Sequence, residues 1–432
     1  MNLIHKHSPF LQYLPFLLLY ITLVLVLHED SFSGDEGRYY QFAENLIKGF
    51  YSPSSPDFNL WNGPGYPIFL MPFVYFGLPL LSITLFNALF QYLSIVFLHQ
   101  SLRRYLSTKT SSFIAFLWGC YYISFQELGG ILTESFSLFL ISLFLYFFVR
   151  ANQEGGWKWS CGSGMVLGYL ALTKIIFGYV TLVMLWIAGL QYLLRNRLKL
   201  QQTMAQNRLW IFTIAFLFNA PYLIYTHSLT GKYFYWGNSG GMSLYWMSTP
   251  FEGEYGDWNN PTFTANCHDA RIPCNADLLA KNHQADMDCI LSFPKIEQDD
   301  AYKSLALQNI RNHPTKYLRN VVSNVNRLFF GMPISYYPQR DTTMFRFPPN
   351  ILLLSVLFLA TVVWLLNFWS VPIEVTYIAL MGFVYLGGTS LLSAYPRMLY
   401  MVVPMLLFWC GYVLSRTLRV SLKWGERNDL TF

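Results

Sequence analysis

Long apolar runs alternate with short polar segments along most of this sequence. Many of the runs approach the length that crosses a bilayer as a helix, which is about 20 residues. A pattern of this kind is typical of a polytopic membrane protein. We predict ten spans, at 10–28, 81–100, 111–126, 131–149, 160–173, 175–194, 209–226, 349–369, 373–393 and 398–415.

Basic residues concentrate in every second connecting segment, which orients the spans. Examples are Arg103 and Arg104, the segment 195–208, and the tail after residue 415. Because cytoplasmic loops carry an excess of Lys and Arg, these segments are predicted to be cytoplasmic, with both termini inside. Counting the short proline-rich run 66–79 as a span would place Arg103 outside. We therefore expect 66–79 to lie in, or dip into, the outer interface.

Composition supports a membrane fold. The 432 residues are 54% hydrophobic and only 12% charged, whereas soluble domains are about 25% charged. The fold class predicted is mainly α, a polytopic membrane protein with about ten transmembrane helices. An outer amphipathic helix should follow the first span. The domains predicted are an N-terminal transmembrane module (1–226) with the outer loop 29–80, a mixed outer domain (227–348), and a C-terminal transmembrane module with its cytoplasmic tail (349–432).

Two function classes are disfavoured by the same patterns. The net charge of +6 does not form a basic stripe, so no nucleic-acid partner is expected. No internal repeat is evident, which argues against transporters built from inverted repeats. The run from Phe10 to Leu27 is longer than the apolar core of a signal peptide and has no small-residue cleavage site after it, so it is predicted to be the first span.

The six cysteines split between spans and the large outer loop. Cys267, Cys274 and Cys289 lie in that loop, where a disulfide could form. Three cysteines leave one unpaired, so the pairing stays open. His268 and His283 could complete a zinc site, but the spacing matches no zinc motif and we predict no metal site.

Two acidic residues, Asp35 and Glu36, follow the first span and open a helical pattern that ends near Gly49. Two interpretations remain open. Ser33-x-x-Glu36 fits a capping box, and acidic residues stabilise a helix N-terminus. Alternatively, Asp35 is held ionised there and acts as a base at the outer interface. Both can hold if Glu36 caps the helix and Asp35 acts.

Three further charged residues are predicted at the outer ends of spans. Glu134 enters an apolar helix, where a carboxylate usually faces the protein interior or an aqueous cavity. Lys174 interrupts an apolar stretch of more than thirty residues, and Arg397 begins the last span. The two cations could reach outward to lipid headgroups, or they could bind an anion such as a lipid phosphate. The turn 61–67, with two glycines and two prolines, returns the chain to the membrane.

These features occur in an order that resembles the GT-C superfamily of membrane glycosyltransferases. The resemblance is closest to the bacterial branch similar to dolichyl-phosphate-mannose–protein mannosyltransferases and the lipid A aminoarabinose transferase. It rests on the ordered set rather than on any one motif, and this chain has Lys174 where the family often has Arg. The residues that carry it are Asp35-Glu36, the Pro64-Gly65-Tyr66-Pro67 turn, Thr133-Glu134, Leu172-Thr173-Lys174, Thr230-Gly231-Lys232, Asn312-His313-Pro314 and Arg397-Met398-Leu399-Tyr400…Pro404.

The resemblance implies a sugar donor linked to polyprenyl phosphate and transfer with inversion. The expected catalytic residues are Asp35 as base, Glu36 in support and Glu134 orienting a substrate. Lys174 and Arg397 would hold the phosphate, with Arg38 and Tyr66 completing the substrate-binding set. No cofactor is required, although the carboxylates would permit a divalent metal. The expected partners are membrane lipids, the lipid-linked donor and a glycan, lipid or protein acceptor, at the outer face of the inner membrane.

Two other classes remain as alternatives. A secondary transporter or flippase-like protein would place ionisable groups near the bilayer midplane and break its helices there. A non-catalytic assembly protein would use the outer domain to bind partners. Convergence of Asp35, Glu134, Lys174 and Arg397 on one cavity would favour the enzyme.

Overall fold

The computed structural model describes residues 8–54, 57–197, 201–261, 263, 276–336, 339, 341–367, 370–417, 421–423 and 429–431. Within them the chain is almost wholly helical. The α-helices are α1 (Pro9–Gln12), α2 (Leu14–Leu27), α3 (Glu36–Ile47), α4 (Gly65–Tyr75), α5 (Leu80–Leu102), α6 (Thr108–Gly119), α7 (Thr133–Gln153), α8 (Trp157–Thr173), α9 (Ile176–Leu193), α10 (Gln202–Thr230), α11 (Gly240–Met247), α12 (Ala276–Leu291), α13 (Lys295–Asn312), α14 (Pro314–Phe330), α15 (Phe347–Leu366), α16 (Ile373–Ser390) and α17 (Pro396–Thr417). Two 3₁₀ helices, Tyr122–Phe125 and Asp341–Arg346, and an antiparallel strand pair, β1 (Ser421–Lys423) and β2 (Asp429–Thr431), complete these elements.

The predicted multi-span membrane protein is confirmed. In the described part of the chain, seven helices are long and apolar enough to cross a membrane: α5, α7, α9, α10, α15, α16 and α17. The other three predicted spans fall on shorter helices, α2, α6 and α8. The helix α4 has 11 residues. At 1.5 Å per residue it rises about 16 Å, roughly half the hydrocarbon thickness, which agrees with its prediction as a non-spanning segment.

The helices α7 and α17 form the centre of the bundle. In each, 72% of the most apolar window is buried inside the protein, against 28% for α15. Their N-termini bring Glu134 and Arg397 to the same end of the molecule. The rigid core of the membrane region therefore positions two of the predicted site residues.

The segment 227–348 has a hydrophobic core of its own. Tyr245 and Trp246 of α11 pack with Met287 of α12 and Tyr302 of α13. The helical run breaks at His313, because α13 ends at Asn312 and α14 begins at Pro314. In the described residues of 227–348 these helices are joined by irregular segments. Cys289 is an exposed free cysteine, while Cys267 and Cys274, and His268 with them, lie outside the described residues.

Candidate active site

Four of the predicted site residues meet in one ionic cluster. Arg397 joins the two acids, with Nη2 at 2.8 Å from Asp35 Oδ2 and Nε at 3.8 Å from Glu134 Oε1. Lys174 Nζ lies 2.9 Å from the same Glu134 oxygen. These residues are up to 362 positions apart in the sequence, so the fold alone brings them together.

Helix ends position every member of the cluster. Asp35 is the residue before α3, Glu134 is the second residue of α7 and Arg397 is the second residue of α17. Lys174 occupies the extended residue after α8, just before α9. The partial positive charge of a helix N-terminus favours both carboxylates. The site is thus built at four helix ends rather than along a helix.

A cavity of about 630 Å³ opens above the cluster. Asp35, Arg38, Lys174 and Arg397 line it together with residues of the first outer loop, α11 and the 393–398 segment. Glu134 lies beneath Lys174 and Arg397, with only 1% of its side chain exposed. Asp35 and the three cations can therefore touch a ligand in the cavity, while Glu134 holds two of those cations from behind.

Asp35 is a carboxylate under strong electrostatic control. Burial alone would raise its pKa, but Arg397, Arg38 and Lys174 outweigh burial and hold the pKa below its ordinary value. Arg38 pairs directly with Asp35, and its Nε donates to Asn62 Oδ1 at 2.7 Å. Asp35 is therefore ionised at neutral pH and fixed in place by two guanidinium groups.

Glu36 turns away from the cavity. Its carboxylate accepts from the backbone N–H of Ser33 at 3.3 Å and from the Ser33 hydroxyl at 3.4 Å. It is 7% exposed and packs so closely on Gly130 that a Cβ there would lie 2.7 Å from Oε1. Burial raises the pKa of Glu36 despite the bonds from Ser33. These contacts hold the Glu36 carboxylate against Ser33 at the start of α3, which is a structural role.

Tyr66 is also placed behind the site. It is fully buried, and its ring centroid lies 5.3 Å from that of Tyr39. Its hydroxyl has no hydrogen-bond partner in the described part of the chain. Tyr39 lines the cavity, whereas Tyr66 is not among the lining residues. The turn that carries Tyr66 packs on the end of α8, where a Cβ at Gly63 would lie 2.1 Å from the Leu172 carbonyl oxygen.

Several residues of the site were not singled out from the sequence. Trp61 and Asn62 line the cavity, and Trp61 lies under the Arg38 guanidinium at 5.2 Å. Both belong to the turn 61–67, which sequence alone indicates only as a return to the membrane. Glu127 is a further acid near Glu134. Burial raises its pKa first, with the charge of Glu134 adding to this. The sequence feature that could have indicated Glu127 is its position just before the Gly129-Gly130 pair.

In the described residues, no group of three or more His, Cys, Asp or Glu side chains is placed to hold a metal ion. Asp35 and Glu134 instead contact cationic side chains.

Comparison with known proteins supports the resemblance seen in the sequence. A family model described as dolichyl-phosphate-mannose-protein mannosyltransferase matches residues 65–225, a range that includes Tyr66, Glu134 and Lys174. No curated protein sequence matches the chain.

Two solved structures of an archaeal oligosaccharyltransferase share the fold. The archaeal oligosaccharyltransferase AglB from Archaeoglobus fulgidus, in complex with an inhibitory peptide and a dolichol-phosphate, is 12% identical with a TM-score of 0.52, covering 96% of this chain and 51% of that one. The apo form of the A. fulgidus enzyme is 12% identical with a TM-score of 0.51, covering 96% of this chain and 51% of that one. ArnT from Cupriavidus metallidurans is 14% identical with a TM-score of 0.37, covering 94% and 77%. The chain spans about half the length of the archaeal chains, and the predicted resemblance to GT-C membrane glycosyltransferases is confirmed in its fold.

Proposed function

We propose that this protein is a glycosyltransferase that moves a single sugar from a polyprenyl-phosphate donor to an acceptor. The observation that carries the proposal is the cavity in which Asp35 faces Arg397 and Lys174. A carboxylate beside two or three cations is what this reaction needs, because a base must act next to a departing phosphate. The archaeal protein of similar fold is described with dolichol-phosphate bound, which supports a lipid-phosphate ligand.

Lys174, Arg38 and Arg397 are the proposed phosphate-binding groups. Together they exceed by one charge the two carboxylates that they contact, Asp35 and Glu134. Arginine can bind phosphate oxygens bidentately, and lysine acts as a point charge. Glu134, buried behind them, keeps Lys174 and Arg397 aimed at the cavity.

The transfer step is a direct displacement. An acceptor hydroxyl oxygen forms the new bond to the anomeric carbon while the bond from that carbon to the phosphate oxygen breaks. The bonding electron pair leaves on the phosphate, giving polyprenyl monophosphate, and the hydroxyl proton passes to Asp35. Attack opposite the leaving group inverts the anomeric centre. No cofactor is needed, because phosphate is a good leaving group and the cations stabilise its charge.

Donor binding would make Asp35 a better base. In the free protein Arg397 and Arg38 lower its pKa. A bound phosphate shares Arg397 and adds negative charge nearby, and both effects raise the pKa of Asp35. The carboxylate would then accept a proton most readily when the donor is in place.

The site is proposed to face the outer side of a bacterial inner membrane. The alternation of basic segments supports a location of α3, α11–α14 and the cluster on the side opposite the cytoplasm. The four charged groups lie at helix ends, whereas a secondary transporter would hold them near the midplane on broken helices. This arrangement favours an interfacial enzyme.

Purified protein in lipid nanodiscs tests the proposal with polyprenyl-phosphate glucose, mannose and galactose labelled in the sugar, and a cell-envelope fraction as acceptor. We expect one donor to lose its labelled sugar with release of polyprenyl monophosphate. The single variants Arg397→Ala and Lys174→Ala should each raise the donor concentration required for half-maximal transfer. Use of nucleotide sugars only, or an unchanged donor dependence in both variants, would refute it. Chelator and added Mg²⁺ arms measure metal dependence, and envelope glycans compared with and without the gene identify the product.

A further inference from the structure

A second, smaller cavity lies directly beside the first on the outer side. It has a volume of about 170 Å³ and is lined by Phe58, Asn59, Trp61, Asn238, Gln298 and Asp299, among others. Trp61 lines both cavities, and the neighbours Asn238 and Ser239 line one each. A ligand in this outer cavity would therefore contact Trp61, which also lines the cavity that contains Asp35.

Three carboxamides in its wall have fixed orientations and spare hydrogen-bonding capacity. The Asn59 oxygen accepts from the Trp61 backbone N–H at 3.1 Å, and the Asn238 oxygen accepts from the Leu60 N–H at 3.2 Å. Since only an oxygen can accept from a backbone N–H, the two NH₂ groups are identified and have no protein partner among the described residues. Gln298 donates to the Phe293 carbonyl at 2.9 Å, which leaves its oxygen open.

The charges around the outer cavity are already compensated. Asp299 is buried and accepts from the Gly241 N–H at 2.7 Å and from the Tyr235 hydroxyl at 3.1 Å. Lys295 Nζ lies 3.3 Å from Asp57. Among the described lining residues Asp299 is hydrogen-bonded and Lys295 is ion-paired, so the cavity fits a neutral ligand that offers several donors and acceptors.

Size and shape narrow the ligand further. A cavity of roughly 150 Å³ holds one six-membered ring, so this one fits a single ring rather than a chain. Its aromatic walls, Phe58 and Trp61, can pack on a flat apolar face while the amides bind the polar edge. A six-membered ring with an apolar face and a hydroxylated edge is a neutral pyranose.

We infer that the acceptor is a neutral glycan, with one pyranose held in the outer cavity and the adjoining sugar presenting its hydroxyl to Asp35. The inference rests on the proposed function, because it names the acceptor of the same site. A phosphorylated lipid acceptor would need an excess of positive charge here, whereas Lys295 is balanced by Asp57 and lies in the same wall as Asp299.

Binding of neutral disaccharides to the full chain in lipid nanodiscs tests the inference. Nanodiscs are required because maltoside detergents are themselves sugars. Saturation-transfer NMR with maltose, cellobiose and lactose reports binding, expected with a dissociation constant on the order of 1 mM. Lys295→Trp fills the cavity mouth, and Lys303→Trp makes the same change on an exposed part of α13 outside the cavity.

We expect the wild type and Lys303→Trp to bind at least one disaccharide and Lys295→Trp to lose that binding. Gln298→Ala, which removes the open acceptor, should weaken it by roughly five- to tenfold. Thermal unfolding midpoints equal to wild type establish that the variants are folded. The inference would be overturned if the wild type bound no disaccharide or if Lys295→Trp bound as well as the wild type. Binding of a serine-containing peptide instead of the disaccharides would also overturn it.

A parallel arm separates this inference from the proposed function. Binding of polyprenyl monophosphate is measured in the wild type and in Lys303→Trp. Sugar binding without polyprenyl monophosphate binding would refute the proposed donor while leaving the sugar site standing. Donor binding without sugar binding would refute the glycan acceptor and leave the proposed donor intact.

Discussion

Asp35 and Glu36 are adjacent in sequence but have different surroundings. Consecutive helical residues point about 100° apart, so two neighbours at a helix start point in different directions. Asp35 contacts Arg397 and Arg38, and Glu36 contacts Ser33. This geometry agrees with the cavity lining, which includes Asp35 and not Glu36.

Removing the charge of Asp35 should abolish its role as base. We expect Asp35→Asn to lower the transfer rate by about 10²- to 10⁴-fold, the range typical of general-base catalysis. Binding of polyprenyl monophosphate should persist, because the cations remain. Asp30→Asn, in the same loop but 86% exposed at the side chain, is the matched control. Near-normal transfer by a folded Asp35→Asn protein would contradict the assignment.

The pH dependence should differ between the free and the donor-bound protein. A base works only when deprotonated, so activity falls as pH drops through its pKa. In the free protein the pKa of Asp35 is lowered by Arg397 and Arg38 against burial, so the acid limb of kcat/KM lies below the ordinary range of aspartate. The acid limb of kcat, which reports the bound state, should lie at higher pH. Coincident limbs would show that the phosphate does not act on Asp35.

Glu134 and Lys174 form a buried pair whose members depend on each other. Glu134→Gln leaves Lys174 without its partner, and breaking a buried pair costs about 3 kcal/mol or more. Adding Lys174→Met should recover much of that stability, since both charges are gone, but it should not recover transfer. Thermal unfolding and donor turnover measured on the wild type, both single variants and the double variant check this. Additive losses of stability in the double variant would contradict the coupling.

The turn 61–67 positions Lys174 from the outside. Its glycines pack on the backbone of Leu172 and Thr173, immediately before Lys174. A Cβ added at Gly63 would collide with a backbone carbonyl that has no rotamer to change. This contact is invisible in the sequence, where the turn predicts only a change of chain direction.

Gly63→Ala should therefore affect donor binding without touching a charged residue. We expect a loss of about 1–3 kcal/mol in stability, as in overpacked cores, together with a raised KM for the donor. Gly189→Ala in α9 is the control, because its Cβ would meet no heavy atom within 4 Å. An unchanged KM in Gly63→Ala would show that the turn does not set the position of Lys174.

Most of the helices follow from apolar run length. All ten predicted spans fall on helices, and the break at Lys174 lies between α8 and α9 as predicted. The outer ends of the spans also placed four charged residues on one side, because alternating topology fixes which loops share a face. Pair contacts and the cavities depend on side-chain packing across distant segments, which no local pattern encodes.

At the scale of the whole molecule, Arg327 of α14 connects the segment 227–348 to the membrane bundle. It is 1% exposed and donates to the carbonyl oxygens of Tyr255, Gly256 and Ala394 at 3.0–3.2 Å. Ala394 lies three residues before Arg397. Through its bond to Ala394, Arg327 helps to position the chain that leads to Arg397.

Arg327→Met should loosen that connection. It leaves several buried carbonyls without donors, each costing about 1–3 kcal/mol, so the outer domain should become sensitive to limited proteolysis and transfer should fall. Arg319→Met, on the same helix with 70% of the side chain exposed, should change neither. Wild-type proteolysis and transfer in Arg327→Met would mean that the bundle holds Arg397 without help.

Trp61 is a common wall of both cavities, and this has a consequence for redesign. A change at Trp61 would alter donor and acceptor recognition together, so selectivity for a new acceptor could not be engineered there in isolation. Lys295 and Gln298, which line only the outer cavity, are the positions from which a library of altered acceptor specificities should start.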